Sequence, residues 1–88
     1  MASIKNLKKD INYTLGDLID ECYVWQLLFP KKDQIASEAI IDDAILAFDA
    51  LIAKLNLKKV ENKKAHFKVV GEELEVKATE LAGRINKL

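Results

Sequence analysis

Apolar residues recur at Ile4, Leu7, Ile11, Leu15, Leu18, Cys22, Trp25 and Phe29, in steps of three and four. At about 100° per residue they all fall within about ±40° of one direction. That spacing predicts an amphipathic helix from Ser3 to Phe29. Ser3 is suited to cap its start, and Pro30 ends it, because proline has no N–H and disfavours the α conformation in the residue before it.

A second helix is expected from Asp33 to Leu55, with Asp33 or Ser37 as its cap. Its main apolar face is Ile40, Ala44, Ala47, Phe48, Leu51 and Leu55, widened by Ile41, Ile45 and Ile52. The PKK connection is too short for anything but an antiparallel neighbour. After a lysine-rich link, KKVENKK, with Asn62 placed to cap, the residues Phe67, Val70, Leu74, Ala78, Leu81, Ile85 and Leu88 again repeat at helical spacing.

The stretch HFKVVGEELEVK also alternates as two short strands would, Phe67 with Val69 and Leu74 with Val76. Two isolated strands would be marginal in water, so the helix is preferred across residues 65–78. Gly71 is then the place for a kink or a close helix approach. The expected fold is all-α, an up-down-up three-helix bundle, with one domain covering residues 1–88.

Composition agrees with that architecture. The chain has 88 residues, half of them apolar and about a third charged, with one proline and three glycines for turns. This is a globular composition, too rich in aliphatic residues for disorder. The N-terminus carries lysines without an apolar run behind them, and no stretch approaches the ~18 apolar residues of a membrane span. A cytoplasmic location and no membrane partner are the expectations. The single cysteine cannot form an intramolecular disulfide, which suits a reducing compartment.

Candidate chemistry is sparse. His66 stands alone between lysines, with no cysteine at zinc-ligand spacing. Cys22 lies at the centre of the first helix's apolar arc, where a thiol behaves as a small hydrophobe. Asp17, Asp20, Glu21, Asp42, Asp43 and Asp49 project away from the apolar arcs, and no Glu-x-x-His pair occurs. There is no glycine-rich phosphate loop and no Gly-x-Ser-x-Gly. No enzyme, no metal and no cofactor is expected.

Charge is balanced overall, 14 basic residues against 14 acidic, but not evenly placed. In an up-down-up bundle the start of the first helix, the end of the second and the start of the third meet at one pole. Lys5, Lys8, Lys9, Lys54, Lys58, Lys59, Lys63, Lys64 and Lys68 gather there against Asp10 and Glu61, a surplus of seven positive charges. Lysine suits the end of the second helix, but the surplus exceeds what capping needs. Such a pole attracts phosphates or acidic partners. It contains no arginine for base reading, so a nucleic-acid adaptor centred on Lys58, Lys59, Lys63 and Lys64 is the second reading of function.

The first reading comes from an apolar surplus. The segment CYVWQLLFP, residues 22–30, holds three of the six aromatic residues. Cys22, Trp25 and Phe29 belong to the core arc, whereas Tyr23, Val24 and Leu27 point about 120–160° away from it, where a solvated helix would carry lysine or glutamate. Ile35, Ala39, Leu46, Ala50 and Ala53 form a similar strip behind the main face of the second helix, interrupted at its edges by Asp42, Asp43 and Asp49. Tyr23, Val24, Leu27, Ile35, Ala39 and Leu46 are therefore the expected interface of a protein-interaction or self-association module, most simply a homodimer.

Overall fold

The computed structural model describes residues 4–57 and 60–88, excepting the side chain of Ile4. Three α-helices run in the order α1 (Ile4–Leu28), α2 (Ile35–Leu55) and α3 (Lys63–Asn86). Every pair of helices is in contact. The bundle is a rod of 50 × 19 × 17 Å, and α3 is continuous across residues 65–78, so the two-strand alternative is not adopted. The cap expected at Ser3 and the lysines at 58 and 59 lie outside the described residues.

Local chemistry accounts for each boundary. The N–H of Phe29 still reaches the Trp25 carbonyl at 2.9 Å, and Pro30 stops the ladder. The turn that follows is tied by Gln34, whose Nε2 donates to the carbonyls of Lys32 (2.7 Å) and Phe29 (3.0 Å). Gln34, not Asp33, occupies the cap position of α2, and it makes no side-chain cap bond. Asp33 serves from one residue earlier, its Oδ1 accepting from the Ile35 N–H at 2.9 Å. At α3 the expected cap is made: Asn62 Oδ1 accepts from Ala65 N–H at 3.1 Å.

The core is the intersection of the three apolar faces. Leu7, Ile11, Leu15, Leu18 and Cys22 from α1 meet Ile40, Ile41, Ala44, Ala47, Leu51 and Leu55 from α2 and Val70, Leu74 and Leu81 from α3. Each buried leucine or isoleucine contributes roughly 1.5–3 kcal/mol relative to exposure. Ser37 is the one buried polar residue among those described. Phe29, placed on the core arc by periodicity, lies just past the end of α1 and remains 42% exposed. Its ring packs tilted by 41° against Trp25, centroids 5.6 Å apart, with Lys32 Nζ 5.0 Å from its ring centroid. Gly71 marks no forced approach: a Cβ there would meet only Leu7 Cδ2, at 3.9 Å.

Candidate functional site: the outer face of α2 and the α2/α3 groove

All six residues of the expected interface are exposed, Leu27 at 80%, Ile35 at 74% and Leu46 at 64%. They do not form one flat surface. Tyr23 lies across the α1/α2 crevice from Glu38, Ile41 and Asp42. Successive helical residues are turned about 100° apart, so Val24 stands on the opposite shoulder of α1. Leu27 crowns the ridge between them, close to the hairpin tip. Ile35, Ala39 and Leu46 instead line up along the outer face of α2, in one strip with Ala50 and Ala53, which are also exposed.

At Ala50 the strip borders a groove of about 510 Å³ between α2 and α3. Ala47, Ala50 and Leu51 form one wall and Val69 and Val76 the other, with Lys54, Glu72, Glu73 and Lys77 at the rim. Leu46 borders the adjoining concavity, beside Asp43, Lys77 and Glu80. The groove exists because alanine at 47 and 50 leaves room where a larger side chain would bridge the helices. Val69 and Val76 are seven residues apart, two helical turns, and so share one flank of α3. That spacing was the available signal for them, and it is hidden in the sequence by their alternation with Phe67 and Leu74.

Ion pairs cross the same seam. Lys54 Nζ lies 2.7 Å from Glu73 Oε2, and Arg84 Nη1 lies 2.6 Å from Asp43 Oδ2. They are largely solvated and contribute less than about 1 kcal/mol each, and they border the flank of α3 that the buried Val70, Leu74 and Leu81 set against α2. At the lower end, His66 Nε2 donates to the Lys54 carbonyl at 2.6 Å, so the ring caps the last turn of α2.

Of the pole lysines, Lys5, Lys8, Lys9, Lys63, Lys64 and Lys68 are exposed. Among the described residues none of the six has an ion-pair partner. Above the pole comes an acidic belt. Residues 11–27, 39–53 and 70–84 hold ten carboxylates against Lys77 and Arg84, and Asp43, Glu73 and Glu80 are paired with Arg84, Lys54 and Lys77.

The remaining chemistry is quiet. Burial pushes the Cys22 thiol above its ordinary value, Glu21 adds to the shift and Arg84 opposes it. Among the described residues no group of three or more His, Cys, Asp or Glu side chains is placed to hold a metal ion. Nor is any of their helices long and apolar enough to cross a membrane. No family model, curated protein or solved structure matches this chain.

Proposed function

We propose that the protein is a small, non-enzymatic cytoplasmic module that works by protein association, in the first place with itself. The observation that carries this reading is the exposed strip Ile35, Ala39, Leu46, Ala50 and Ala53 on the outer face of α2, whose Ala50 also lines the groove with Val69 and Val76. The alanines suit any helix, but a solvated face has no need of Ile35 and Leu46, which are 74% and 64% exposed. Contiguous apolar surface of this kind marks an interaction site in soluble proteins. Alanines permit close approach of a second helix, and Leu46 and Ile35 supply projections to bury.

Sedimentation of the unmodified protein at about tens of micromolar tests the reading. A dimer is expected, and Leu46→Glu is expected to return it to a monomer with its helical circular dichroism intact, because an unpaired charge in an interface is costly. A monomer from the unmodified protein removes self-association.

A second reading rests on Lys5, Lys8, Lys9, Lys63, Lys64 and Lys68, exposed and without an ion-pair partner among the described residues, which suit a polyanion such as nucleic acid. Gel-shift assays at low salt test it. Binding that falls steeply with salt and is lost on changing Lys58, Lys59, Lys63 and Lys64 to Glu supports it, and no shift at low salt eliminates it.

A further inference from the structure

We draw no further inference here: the strongest candidate, the apolar groove between α2 and α3 walled by Ala47, Ala50, Leu51, Val69 and Val76, belongs to the site already described, and nothing in the structure shows what covers it.

Discussion

Gln26 Nε2 donates to Ser37 Oγ at 2.8 Å across the α1/α2 hairpin, and the Ser37 hydroxyl in turn donates to the Gln34 carbonyl at 3.0 Å. Ser37 is fully buried, so its hydroxyl is tolerable only because both roles are filled. The pair joins residues eleven apart in sequence. Sliding α1 along α2 would break it, which makes it a register pin within an otherwise non-directional apolar core.

Ser37→Ala is accordingly expected to destabilise the fold by about 1–2 kcal/mol, and Gln26→Ala by about 1 kcal/mol, because Ser37 keeps its bond to Gln34 in the latter. Urea denaturation of the two single variants and the double variant checks this. The double variant should cost less than the sum, since the two residues share one interaction.

The three glycines, by contrast, are replaceable. All three lie inside helices, none has positive φ, and an added Cβ meets nothing within 4 Å at Gly16 or Gly83 and only an ordinary contact at Gly71. Alanine at each position should raise stability by about 0.5–1 kcal/mol through its higher helix propensity. In a domain of this size that corresponds to a few degrees in Tm. Thermal melts of Gly16→Ala, Gly71→Ala and Gly83→Ala that show no increase would contradict the open surroundings seen at these sites.

Asn62 and His66 anchor the start of α3, one by capping its own helix and the other by capping α2. Asn62→Ala should cost about 1 kcal/mol. His66→Ala should cost about the same, because the Lys54 carbonyl loses its side-chain donor but remains near solvent. Amide exchange is the finer measurement. Both changes should speed exchange at the ends of α2 and α3 that adjoin the link while leaving the protection of the Leu15 and Val70 layers unchanged.

Cys22 should be inert in the native protein. It is fully buried, and its thiol is held above the usual 9.0 chiefly by burial, so the reactive thiolate is disfavoured. A raised folded-state value means that the folded chain keeps its proton longer than the unfolded chain. The associated stability is therefore complete below the unfolded thiol's value and declines as pH rises above it. Labelling by an aromatic disulfide reagent near neutral pH should proceed only at the rate of unfolding, and urea midpoints should begin to fall above about pH 9. Rapid labelling of the native chain would contradict the burial.

Leucines of equal size should respond oppositely according to side. Leu18 belongs to the core and Leu46 to the outer strip. Leu18→Glu should unfold the chain at room temperature by burying an unpaired carboxylate. Leu46→Glu should retain the full helical signal.

The three helices were legible from the spacing of Leu, Ile and Val alone, because helical periodicity is a local property repeated over several turns. Pro30 and Asn62 marked two of the boundaries for equally local reasons. Residues 65–78 were ambiguous, since Phe67, Val69, Leu74 and Val76 satisfy a strand's alternation as well as a helix's spacing. Packing of Val70 and Leu74 against the other two helices decides for the helix. Phe29 shows the reverse case, in which correct periodicity does not bring burial because the helix ends before its side chain can pack.

What the amino-acid order determined by itself was the fold class, the inward faces and the existence of surplus apolar residues on α1 and α2. What only the tertiary structure decided was how that surplus is arranged. Tyr23, Val24 and Leu27 divide around the end of α1, whereas the α2 strip of Ile35, Ala39 and Leu46 runs on to Ala50, which faces Val69 and Val76 across the groove. Spacing within one helix fixes angles around that helix only. How α3 sits on α2 depends on the packing of Val70, Leu74 and Leu81 into the shared core, with Lys54–Glu73 and Arg84–Asp43 along the seam, contacts between distant residues that no local pattern encodes.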